Sequence, residues 1–111
     1  MQKVRESEIP FRSGQSGVKY LFRGPNLDWG VIVMLPGECL AGHYHQQVEE
    51  TFYLVEGQLS LFVDDAQHDL LPGDAMRLEA PEPHRIVNSG NVPAKLIFLK
   101  YPYLPSDKVD L

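Results

Sequence analysis

Short runs rich in Val, Ile, Leu, Phe and Tyr recur along the chain between Gly, Pro and Asp, and no long segment carries apolar residues at helical spacing. The pattern predicts an all-β protein. The expected strands are Val18–Arg23, Trp29–Leu35, Thr51–Glu56, Gln58–Val63, Ala75–Leu78, His84–Asn88 and Lys95–Tyr101. Pro36-Gly37, Asp64-Asp65, Pro72-Gly73 and Asn88-Ser89-Gly90-Asn91 separate them, supplying the fixed φ, positive φ or local side-chain hydrogen bonds that chain reversals need. Short strands at this spacing imply a sandwich or barrel. The barrel is expected over about residues 18–101, with an N-terminal arm at about 1–17. In the tail, 102–111, Pro102 and Pro105 cannot donate to a ladder, so pairing should stop near Tyr101.

With 111 residues, 43% hydrophobic and 10% aromatic, the chain matches one domain able to bury a core without staples. The first eight residues are strongly charged, and no apolar run approaches the roughly 18 residues of a membrane span. Cys39 is the single cysteine, which excludes an internal disulfide and a cysteine-only metal cluster. A soluble cytoplasmic protein is expected. The net charge of −5 is scattered, with no Lys/Arg cluster of the kind that tracks a phosphate backbone, so nucleic acid is not an expected partner.

The candidate chemistry lies in the histidines. His43 and His45 are two apart, so on an extended strand both imidazoles face the same way, close enough to share an ion. Glu50 can return to that face if Gln46–Glu49 makes a turn or bulge and the next strand pairs back. His84, opening another strand behind Pro81-Glu82-Pro83, is the best fourth candidate. An isolated His-x-His is more often two half-exposed histidines. The frame Gly37-x5-His43-x-His45-x4-Glu50-x6-Gly57, however, should arise by chance only on the order of once in 10⁵ sequences of this length. Glu49 is the rival carboxylate, but only Glu50 leaves six residues before Gly57.

This frame resembles the first motif of the cupins without a gap. The second cupin motif falls on Gly73 to Asn88, with His84 and Asn88 on its His and Asn positions. Glu79 stands where that family usually has Pro, and Pro81 where it usually has Gly, so the turn before His84 is expected to be built differently. The resemblance implies a jelly-roll barrel, or double-stranded β-helix, holding one divalent metal on His43, His45, Glu50 and His84. Imidazole plus carboxylate suits Fe, Mn, Ni, Cu, Co or Zn. It also implies a homodimer and a small-molecule partner. The implied function is a dioxygenase-like or lyase/isomerase-like enzyme for a small organic acid, sugar or phenol, or else a metal-dependent sensing module.

Strand alternation carries Phe52 and Leu54 inward with Glu50, and Ile86 and Asn88 inward with His84. Phe52, Ile86 and Asn88 are the candidate pocket residues, although each also suits a packing role. Asn88 fits either orienting His84 or closing the strand-end turn. Cys39 and Tyr44 are read as structural, His68 as a solvated surface residue, and Trp29 and Met34 as core.

Overall fold

The computed structural model describes residues 1–111. A 3₁₀ turn at Glu6–Glu8 precedes ten strands: β1 (Gly17–Arg23), β2 (Asp28–Met34), β3 (Cys39–His45), β4 (Glu49–Glu56), β5 (Leu59–Val63), β6 (Ala66–Leu70), β7 (Ala75–Leu78), β8 (His84–Val87), β9 (Ala94–Tyr101) and β10 (Lys108–Asp110). They form two antiparallel five-stranded sheets, ordered β1-β2-β9-β4-β7 and β10-β3-β8-β5-β6. The apolar core lies between them. No helix is long and apolar enough to cross a membrane.

The seven expected strands are present, with ends shifted by at most two residues, and three more accompany them. One is β3, which carries His43 and His45. Another is β6, in the polar stretch around His68. Asp64 and Asp65 both adopt positive φ, 48° and 66°, which makes the two-residue reversal that suits the strand twist, so β6 pairs with β5. Ladder bonds on an edge strand need no apolar side chains, and only Leu70 of β6 is buried. His68 is exposed, as expected.

The third additional strand corrects the reading of the tail. After the prolines, Lys108–Asp110 returns and pairs with β3, setting Lys108 opposite His45 and Asp110 opposite His43. Pro102 and Pro105 do interrupt the ladder, but interruption did not prevent a later strand from finding the free edge of β3.

Inward positions along the first sheet grade from apolar to charged. One cross-strand row is Val18, Ile32, Leu96 and Leu54. The next is Tyr20, Gly30, Phe98 and Phe52, and the last is Arg23, Asp28, Lys100 and Glu50. A bulge in β1 between Tyr20 and Phe22 puts Tyr20 and Arg23 on one face although they are three apart. Leu54, Leu96 and Phe98 are fully buried, each stabilising the fold by about 1.5–3 kcal/mol. Gly57 shows why that position of the frame excludes a side chain: its φ is +85°, and a Cβ would lie 2.6 Å from Ala94 Cα.

The N-terminal arm lies across the outer face of this sheet. There the buried Lys19 ammonium donates to the carbonyls of Glu6 (2.9 Å) and Ile9 (3.4 Å). Glu6 also pairs with Lys95 at 2.9 Å, and burial of its carboxyl does not prevent these two lysines from holding it below the usual carboxylate range, the Lys95 hydrogen bond contributing most.

Candidate metal centre

His43 and His45 come from β3, His84 from β8 beside it, and Glu50 from β4 in the opposite sheet. The strand carrying Glu50 therefore does not pair back on the histidine strand. Gln46–Val48 carries the chain across the gap between sheets, and Glu50 meets the histidines face to face. Glu49 is paired opposite Tyr101 and alternates to the outer side, leaving Glu50 as the inward carboxylate.

A bulge in β3 sets the histidines in phase. Leu40 pairs with Ile86 and His43 with His84, so one extra residue lies between Leu40 and His43. Leu40, His43 and His45 consequently all face inward. Tyr44 alternates to the other side, opposite Val109.

The four ligand atoms lie within 4.8 Å of one another. Glu50 Oε1 is 3.2 Å from His45 Nε2, 3.2 Å from His84 Nε2 and 3.8 Å from His43 Nε2. Such separations suit atoms sharing one ion at bond lengths of about 2.1 Å. The hydrogen bonds on the far side of two rings fix their tautomers: His43 Nδ1 donates to the Ala41 carbonyl and His84 Nδ1 to the Glu82 carbonyl, both at 3.1 Å. A neutral imidazole tied this way turns its Nε2 lone pair toward the carboxylate, which also only accepts. Converging acceptors call for a cation between them. The donor set fits a divalent transition metal.

Burial opposes the charge on Glu50, yet where the imidazoles of His43, His45 and His84 carry Nε2 protons in place of a cation, their hydrogen bonds, together with Lys100, hold its carboxyl well below the ordinary range. His45, Glu50 and His84 are buried, while His43 is only partly so and faces the opening. The turn before His84 is self-contained: Glu79 N–H donates to Glu82 Oε1, and Glu82 N–H to the Glu79 carbonyl, both at 2.9 Å.

A cavity of about 270 Å³ opens beside these atoms, walled by Phe52, Ile86, Phe98, Leu40 and Val48 among others. Phe52 sets its ring 6.2 Å from that of His84. Asn88 lies outside the cavity. Its Nδ2 donates to the carbonyls of Met34 and Val92, and its Oδ1 accepts from Gly90 N–H, so it ties the end of β8 to β2 and closes the turn.

Sequence reasoning left several neighbours of the site unassigned. Asp107, in the tail, accepts hydrogen bonds from the N–H groups of Gln47 and Val48, both at 2.9 Å, and so fastens the crossing between His45 and Glu50. Although desolvation opposes its ionisation, those backbone donors keep Asp107 below the usual carboxylate range. No local signal marks it. Lys100 and Tyr20 also line the cavity. The alternation Leu96-x-Phe98-x-Lys100 could have flagged the lysine as inward.

The family model for the cupin domain matches residues 30–100. The chain belongs to the cupin family. It is 37% identical over 76 residues to the tetracenomycin polyketide synthase protein TcmJ of Streptomyces glaucescens, covering 68% of this chain and 51% of TcmJ. It is 38% identical over 48 residues to quercetin 2,3-dioxygenase of Bacillus subtilis, covering 43% of this chain and 14% of that one. This cupin spans about half the length of the first curated relatives it matches. Its fold is shared with an uncharacterised conserved protein of Klebsiella pneumoniae that has a double-stranded β-helix domain, at a TM-score of 0.84 and 17% identity, covering 99% of this chain and 96% of that one.

Proposed function

We propose that this cupin is a mononuclear metal-dependent enzyme acting on a small organic molecule. Three Nε2 atoms and one carboxylate oxygen converging at the inner end of a cavity carry the reading. His43, His45, His84 and Glu50 would hold one of Fe, Mn, Ni, Cu, Co or Zn. Four protein ligands leave coordination positions free on the cavity side. The chemistry a bound ion supplies there is activation of O₂ or polarisation of a carbonyl or enediol.

The chain's own residues prepare the place. The Ala41 and Glu82 carbonyls orient two imidazoles, Asp107 fastens the crossing to Glu50, and Phe52, Phe98 and Ile86 keep water from one side of a bound molecule. The relative named for quercetin, a polyphenol, supports phenols within the substrate range, beside small acids and sugars.

Elemental analysis of the purified protein, followed by assay of small acids, sugars and phenols with each metal in air and under nitrogen, tests the reading. An oxygenase loses activity with redox-silent Zn(II) and consumes O₂ in step with product. A lyase or isomerase works with Zn(II) under nitrogen. Metal-dependent ligand binding with no turnover under any condition would overturn the enzyme and leave a binding module.

A further inference from the structure

The charged row on the first sheet ends beside the metal ligands. Lys100 of β9 lies in register between Asp28 on β2 and Glu50 on β4, all facing the cavity. Asp28 is engaged elsewhere: its Oδ1 accepts Gly24 N–H at 3.0 Å and lies 3.9 Å from Arg23 Nε. Lys108, a further cation on the wall, pairs with Asp110 at 3.3 Å, and Arg85 stacks its guanidinium over Phe62 at 3.9 Å.

Lys100 differs from these. It is half-buried and makes no ion pair within 4.0 Å; its Nζ donates one hydrogen bond, to Tyr20 Oη at 2.9 Å, and stands 5.3 and 5.5 Å from the Tyr20 and Phe98 ring centroids, farther than Arg85 from Phe62. The ammonium carries three N–H groups, so two remain for a ligand. Tyr20 is itself held edge-on against Phe98, ring centroids 5.3 Å apart, which fixes where the lysine is aimed. The chain has a net charge of −5, yet five cationic and two acidic side chains line this cavity.

We propose that Lys100, steadied by Tyr20, is an anion-holding subsite, and that this protein's ligand is a small carboxylate. One end of the ligand reaches the open side of the His43/His45/Glu50/His84 centre and its carboxylate meets Lys100 Nζ, with the apolar body between Phe52, Phe98 and Ile86. The inference rests on the metal reading for its second anchor. With three neutral imidazoles and one carboxylate, a divalent centre keeps one positive charge and Lys100 adds another, so an anion is the ligand that leaves the least uncompensated charge in a partly dry cavity.

The test is isothermal titration of acetate, benzoate and succinate, with neutral benzamide as control, into metal-loaded wild type, Lys100→Met and Lys100→Arg. Metal content and thermal melting are measured on each protein. At least one carboxylate is expected to bind wild type, to weaken about tenfold or more in Lys100→Met and to recover in part in Lys100→Arg, as for loss of a charge-assisted hydrogen bond. Benzamide binding and metal content should not change. Equal carboxylate affinity in wild type and Lys100→Met, both folded and metal-loaded, overturns the proposal, as does failure of all three carboxylates to bind wild type. Lys100-dependent carboxylate binding to protein that takes up no metal supports the subsite while refuting the metal centre, so the two readings fail separately.

Discussion

Along β4 the inward side chains run Glu50, Phe52, Leu54, and along β9 beside it Lys100, Phe98, Leu96. Two strands thus carry one charged side chain each at one end of the same face and fully buried hydrocarbon at the other. At the apolar end, Leu54 and Leu96 pack with Ile32, Leu61 and Met34, and the gain is area removed from water. At the other end His45, Glu50 and His84 are equally buried, but burying them costs free energy that only mutual hydrogen bonds or a bound cation can offset. The apolar end supplies the stability that lets the other hold a costly arrangement of acceptors. Damage to the two ends should therefore be read by different instruments.

The largest effect is expected from His84→Ala, which should abolish stoichiometric metal at micromolar protein in elemental analysis while changing metal-free stability by only about 1 kcal/mol. His43→Ala and His45→Ala should behave alike, and full metal content in the His43→Ala/His45→Ala double variant would sink the site. Since each imidazole must be unprotonated to bind, affinity should also weaken as pH falls.

Leu54→Ala is the reverse case. It should cost about 2–5 kcal/mol in urea unfolding, with metal content per folded chain unchanged. A Leu54→Ala protein that folds normally but no longer takes up metal would show that the two ends are coupled.

Asp107→Ala frees the crossing between His45 and Glu50, and metal affinity should fall about tenfold, as for loss of a group that orients ligands. Asp107→Asn keeps one acceptor and should retain part of the affinity. Competition with a coloured chelator reads both.

The smallest effect is expected at the arm. Glu6→Gln should cost about 0.5–1 kcal/mol at neutral pH, the range of partly exposed ion pairs. Because the folded protein lowers the Glu6 carboxyl, its contribution is present above the ordinary carboxylate range and is lost as pH falls through the lowered value. Denaturation curves of wild type and Glu6→Gln should accordingly converge in acid, and a gap that persists there would assign the effect to packing.

Much of the candidate metal centre was legible because its evidence is local. His43 and His45 share a face by strand periodicity, and the glycines of the frame stand where the chain turns, as φ of +86° at Gly37 and +85° at Gly57 bear out. Asn88 was legible as suited either to orienting His84 or to closing the strand-end turn, and its Oδ1 closes the turn by accepting Gly90 N–H. Its side-chain donation to the Met34 carbonyl is a link to β2 that strand alternation does not name. The bulge between Leu40 and His43 was likewise hidden, since one inserted residue shifts the phase of alternation without changing composition.

The sequence by itself determined the all-β character, the seven main strands, the turn positions and the three histidines that gather around Glu50. Each follows from the period of two, from turn chemistry or from a fixed local spacing. Only the tertiary structure decided that Glu50 faces the histidines from the other sheet, that Lys100 stands beside it, that Lys108–Asp110 returns to the strand carrying His43 and His45, and that Asp107 fastens the crossing that leads to Glu50. The physical reason is that backbone ladder bonds are nearly indifferent to side-chain identity. Which distant strands meet is settled by how the whole apolar set packs, and that cannot be read from any one segment.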